Sequence, residues 1–162
     1  MSWIPDVFDK SDYYFEDAMK AYCELNEKEE SGLTDEDHNE IMRYAGVHIA
    51  FYMTWIIRKG QLGDMHKEDP RDTADAEKVK NGEISGIDYL MKYCDGRLYP
   101  EDMTDEMAEF TAKFYEKNYW KVYVNFVTEE LCDLPFEFEG GWEDYLEFEP
   151  VLDSIYESEM KK

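Results

Sequence analysis

The chain has 162 residues, 40 acidic against 17 basic, for a formal charge of -23. That length fits one domain, long enough to bury roughly two-thirds of the surface its unfolded form exposes. The charge disfavours direct binding to nucleic acid or to an anionic membrane, leaving a cationic partner or plain solubility as its use. Aromatic residues make up 16% of the sequence, which argues against disorder in spite of a mean hydropathy of -0.72.

The amino terminus, MSWIPDVFDKSD, has neither a basic leader nor a long apolar core, and a cytoplasmic location is expected. Cys23, Cys94 and Cys132 are widely spaced without a CxxC pair, which fits reduced thiols better than a disulfide framework or a zinc site. Residues 1 to 10 read as an arm around Pro5 that lies on the core. From Ser11 to about Glu29, Tyr14, Phe15, Ala18, Met19, Tyr22 and Leu25 recur at helical spacing, with Ser11 or Asp12 available as a cap. An acidic connection turns at Ser31-Gly32.

Tyr44 to Ile57 carries no formal charge over fourteen residues. Thr34 to Asp37 supplies a cap and first-turn acids before it, and Arg58-Lys59-Gly60 a stop behind it. The helix, from about Asp35 to Lys59, is apolar nearly all round and is therefore expected to be buried nearly all round. A membrane span needs about 20 apolar residues, more than this run provides.

Residues 61 to 71, with Gly63 and Pro70, read as an exposed loop. Asp72 to Lys80 forms a short helix ended by Asn81-Gly82, and Ser85 caps another over Gly86 to Tyr93 before the Asp95-Gly96 turn. A helix starts at Thr104. Its continuation at residues 119 to 127 has the β-branched and aromatic alternation of a strand. No partner strand is evident, however, and Tyr115, Tyr119, Val122 and Phe126 share one helical face, so a long helix is expected. Residues 133 to 142 read as an irregular connection, and Pro150 suits the first turn of a final helix. The fold class is all-α, a single-domain bundle of about six helices around the buried central one.

His48, on the apolar face, is a hydrogen-bonded structural residue, a general base working with carboxylates in a cleft, or a metal ligand, and no second histidine or cysteine stands at ligand spacing beside it. His66 lies among Asp64, Glu68 and Asp69, but the spacing is not that of a calcium loop, and no metal ligand set or cofactor is expected. No nucleophile elbow or phosphate-binding glycine loop is present. From Glu129 to Lys162, twelve acids stand against two lysines, interleaved with Phe136, Phe138, Trp142, Tyr145 and Phe148. Those rings are either core or anchors of an acidic interface for a basic protein.

Four blocks, HIAFYMTWIIRKGQL, SGIDYLMKYCDGRLYPEDM, FTAKFYEKNYWKVY and GGWEDYLEFEPVLDSIYESE, lie between His48 and Glu159, within a match over about residues 37 to 160. In this order they resemble a family of small bacterial immunity-type proteins associated with polymorphic or contact-delivered toxins. His48, Trp55, Gly60, Asp95, Gly96, Trp142, Tyr145 and Pro150 occupy its motif positions. Ala50 and the acidic stretch Glu27 to Asp37 depart from the pattern. The resemblance implies a cytosolic immunity-type protein without enzymatic activity, and the acidity adds that the cognate toxin domain it occludes is cationic, for instance a nuclease. The residues expected to meet it are Glu29, Glu30, Asp35, Asp37, Glu137, Glu139, Trp142, Glu143, Asp144 and Glu147. An enzyme built on His48 and an acidic DNA mimic are the alternatives; the mimic requires carboxylates spaced like phosphates along one face.

Overall fold

The computed structural model describes residues 4 to 131 and 134 to 161, so Trp3 of the arm and Cys132 lie outside the described residues. Helices span Phe15–Asn26 (α1), Asp35–Arg58 (α2), Pro70–Lys80 (α3), Gly86–Tyr93 (α4), Asp105–Phe114 (α5), Trp120–Asn125 (α6) and Trp142–Met160 (α7). A π-helical segment, Tyr115–Tyr119, joins α5 to α6, and a second, Phe126–Glu130, follows. Residues 105 to 130 are thus one rod, and the bundle has six rods, all-α as the periodicities predict. The strands are one short antiparallel ribbon of Asp9–Lys10 (β1) and Arg97–Leu98 (β2), with Asp9 opposite Leu98.

α2 is the axis. Thr34 Oγ1 accepts the Asp37 backbone N–H at 3.1 Å, and Asp37 Oδ2 accepts that of Thr34 at 3.0 Å, a reciprocal capping box. Its apolar stretch is buried without a break from Ala45 to Ile57, because α1, α3, α4 and α7 all lie against it. α4 comes close at Gly86, where a Cβ would stand 2.2 Å from Thr54 Oγ1. α7 is fastened by polar bonds: Trp55 Nε1 donates to Asp153 at 2.9 Å, and Arg58 pairs with Glu149. No helix among the described residues is long and apolar enough to cross a membrane.

Several local expectations change and one holds. Ser11 caps no helix; its hydroxyl donates to the Gly96 carbonyl at 2.9 Å, and one 3-10 turn over Ser11–Tyr14 precedes α1. The strand-like 119 to 127 segment is helical, as helical spacing predicts, because Tyr119, Tyr123 and Phe126 all find burial on one side of the rod. Pro150 lies inside α7, which already begins at Trp142 rather than at the proline. The irregular connection is therefore 134 to 141 among the described residues.

The largest change is at His66, within residues 61 to 71: Asp64, Met65, Lys67 and Glu68 are exposed as expected of a loop, but the imidazole is not. Asp64–Lys67 forms a 3-10 turn, Asp69 caps α3, and His66 is only 2% exposed. Polar composition suggested solvent, but carboxylates supplied by other segments draw the imidazole inward. Its Nδ1 lies 2.7 Å from Asp72 Oδ2, and its Nε2 lies 2.7 Å from Asp102 Oδ1. At Gly63 the chain runs against residues 101 to 103, where a Cβ would meet the Glu101 carbonyl oxygen at 2.3 Å.

Candidate partner interface

Glu40, Tyr44 and Val47 follow helical spacing along α2, running from exposed Glu40 through half-buried Tyr44 to buried Val47. The 134 to 141 connection crosses in front of them, leaving a cleft of about 740 Å³. Leu25, Ile87 and Leu131 contribute apolar surface to it, and Glu137, Phe138, Glu139 and Asp144 form the facing wall. Gly140 makes this close crossing feasible. Its φ of +72° is in the left-handed region, and a Cβ there would stand 2.4 Å from Val47 Cγ1. Phe138 turns inward, edge-on to Phe51 at 5.6 Å, and anchors the connection to the core.

The cleft is electronegative. Glu40, Glu137, Glu139 and Asp144 line it against one basic residue, Arg43, which already pairs with Asp88 at 2.5 Å. Tyr44 donates to Glu139 at 3.4 Å, and burial together with the Glu139 and Glu40 carboxylates pushes its phenol pKa up. The floor is apolar, and Leu25 is 54% exposed. Such a surface takes a cationic group with an apolar stem, the form of a lysine or arginine side chain.

The sequence-predicted residues divide. Glu137, Glu139 and Asp144 meet in the cleft. Trp142 is half-buried beside it, lying against Gly82 with the Arg58 guanidinium 5.2 Å over its ring. Glu143 and Glu147 are exposed on α7, and Glu29, Glu30 and Asp35 are exposed at the α1–α2 connection, but none of these lines the cleft. Asp37 turns inward and is buried. Its Oδ1 accepts from Tyr22 at 2.6 Å and from Lys28 at 2.7 Å. The bond from Lys28 and those from Thr34 and Tyr22 hold its pKa below the usual carboxylate range. It is a structural anion rather than a surface contact. Among the aromatic candidates, Phe138, Tyr145 and Phe148 are core, and Phe136 is half-buried against Trp120 at 5.6 Å. Glu40, Tyr44 and Leu25 were not among the predicted site residues. Their one sequence signal is a polar and apolar mixture on the outward face of α1 and α2.

His48 is 2% exposed, with Nε2 3.1 Å from Asp9 Oδ2. The same oxygen accepts from Tyr115 at 2.6 Å and from Tyr14 at 3.2 Å. The imidazole meets Tyr14 and Trp120 edge-on, at 4.4 and 4.9 Å, beside a cavity of about 340 Å³. The π-helical turn brings Tyr115 to Asp9 and Tyr119 to the His48 carbonyl. Burial, with Asp9 beside it, raises the Tyr115 pKa well above its ordinary value, so the phenol stays a donor. At the second histidine, burial opposes the charged imidazole, but hydrogen bonds and charge from Asp102 and Asp72 outweigh it and raise the His66 pKa. Donor atoms of His66, Cys94 and Asp102 lie within 4.8 Å of one another.

No curated protein and no solved structure matches this chain. One family model does match, over residues 7 to 136, which takes in the α2 wall of the cleft and ends just before Glu137 of the facing wall. The chain belongs to that family, described as a domain of unknown function, DUF7832.

Proposed function

We propose that the chain is an immunity-type protein that occludes a cationic toxin domain in the cleft between α2 and the 134 to 141 connection, without catalysis and within the cytoplasm. The observation that carries this reading is the cleft itself: four carboxylates over an apolar floor, with the one arginine of the lining already paired. The formal charge of -23 supplies long-range steering toward a basic surface, which raises association rates and suppresses wrong partners. A nuclease fits this role because its own nucleic-acid site is lined with lysine and arginine. The sequence blocks that resemble immunity-type proteins support the same reading. A catalytic His48 has less support: the imidazole is 2% exposed, bonded to Asp9 and packed against Tyr14 and Trp120, though it lines the cavity of about 340 Å³.

The test is direct binding between this protein and the purified product of the adjacent gene, measured by calorimetry across a salt series. Stoichiometric binding is expected, with association slowing as salt rises, and inhibition of the partner's activity is expected to follow occupancy. Glu137→Lys with Glu139→Lys should weaken binding at least tenfold, while Glu143→Lys with Glu147→Lys on the outer face of α7 should have a smaller effect. No binding at low salt, or equal losses from both pairs, would overturn the cleft as the interface.

A further inference from the structure

The cluster around His66 contains a soft ligand that a purely ionic network does not require. Cys94, just after α4, directs its thiol at Asp102 Oδ1, 3.8 Å away, and that oxygen is also the one facing His66 Nε2. All the ligand atoms are buried, Asp102 at 0% exposure. On the far side of the ring, Nδ1 is held by Asp72, whose second oxygen accepts from Tyr89. This is the arrangement by which a carboxylate fixes the orientation of a metal-binding histidine.

We infer that His66 Nε2, Cys94 Sγ and Asp102 form a buried zinc site, with Asp72 orienting the histidine. Zinc is favoured over magnesium or calcium because those ions require six or more oxygen donors, whereas an imidazole, a thiolate and a carboxylate suit a borderline-soft ion. Metal–ligand bonds of about 2.0 to 2.3 Å set the donors of a tetrahedral site roughly 3.3 to 3.6 Å apart. The histidine–carboxylate pair must therefore open and the thiol must close in, shifts of side chains rather than of backbone. Asp102 Oδ2 stays bonded to the Tyr99 backbone N–H at 2.7 Å, so each of the three side chains supplies one donor and the fourth tetrahedral position is left to an exogenous ligand.

Charge balances in the exchange. Without metal, the thiol proton points at Asp102, and burial, with Asp102 and Asp72 nearby, holds the thiol protonated. An ionised Asp102 oxygen 2.7 Å from Nε2 is met by a proton on that nitrogen, the second to be displaced. Zinc replaces both, forming bonds to sulfur, nitrogen and carboxylate oxygen, and about two protons leave for solvent per ion. No oxidant or reductant is involved. The bound ion would fasten the 64 to 67 turn, the end of α4 and the 100 to 102 turn to one point.

Sequence spacing around His66 gives no hint of this, because Cys94 and Asp102 follow 28 and 36 residues later. The test uses cobalt as a spectroscopic stand-in for zinc, in a chain carrying Cys23→Ser and Cys132→Ser so that Cys94 is the sole thiol. One equivalent of cobalt should produce a thiolate-to-cobalt charge-transfer band and tetrahedral visible bands, both displaced by zinc. Cys94→Ser should abolish the charge-transfer band. Absence of that band in the sole-thiol chain, or cobalt uptake only through weak octahedral binding to surface acids, would overturn the site. The spectrum of the sole-thiol chain decides even where Cys94→Ser fails to fold.

Discussion

The interior around His66 and the cleft beside α2 are both rich in carboxylates, and they use them in opposite ways. In the interior each acid is matched: Asp72 takes His66 and Tyr89, and Asp102 takes His66, Cys94 and the Tyr99 backbone. In the cleft, Glu40, Glu137, Glu139 and Asp144 face water, with Arg43 drawn aside by Asp88. A buried charge that loses its partner is strongly destabilising, whereas an exposed one is hydrated and screened. Interior acids thus hold the chain together, and cleft acids stay free for something outside it.

Substitutions can break or sharpen that contrast. The largest effect is expected for His66→Ala, which leaves two buried carboxylates without their shared cation and should cost about 3 to 5 kcal/mol in urea unfolding. Asp9→Ala comes next. It strips His48, Tyr115 and Tyr14 of a common acceptor and should cost about 1 to 3 kcal/mol by the same measurement.

Asp37→Asn should be milder and dependent on pH. The folded pKa of Asp37 is depressed, so its contribution is present above the ordinary carboxylate value of about 4 and is lost as pH falls below it. The thermal-melting difference between the two proteins should be widest at neutral pH and should narrow in acid. A constant gap would remove the ionic contribution and leave only the cap. Glu139→Gln should change stability least, within about 0.5 kcal/mol, since its bond from Tyr44 is long and exposed to water and the amide oxygen can still accept it. If it instead destabilised the fold as much as Asp9→Ala, the division between holding and free acids would fail.

How far the sequence reveals these features depends on how local they are. Thr34 with Asp37, Ser85 with Gly86 to Tyr93, and the uncharged run of α2 are set by neighbours within a turn or two, and their helices form as read. The His66 turn misleads because its partners Asp72 and Asp102 are brought by other segments, and polar composition alone reads as solvent exposure. Pro150 misleads for the opposite reason. Its local preference for a first turn yields to α7, whose Tyr145 and Phe148 are already buried ahead of it. Half of the cleft was visible as an acidic, aromatic tail. Of the two uses open to its rings, Phe138, Tyr145 and Phe148 take the core; what stayed hidden was that Glu40 and Tyr44 supply the opposite wall.

Trp120 stacks on Tyr14 at 5.3 Å and on Phe136 at 5.6 Å, and those two rings meet each other at 6.2 Å. One indole, on the rod of residues 105 to 130, is therefore the clasp for both a segment near the start of the chain and the connection leading to α7. Pulling either segment away uncovers the same ring, so the two detachments are mechanically linked, and the fluorescence of this tryptophan would report the release of either.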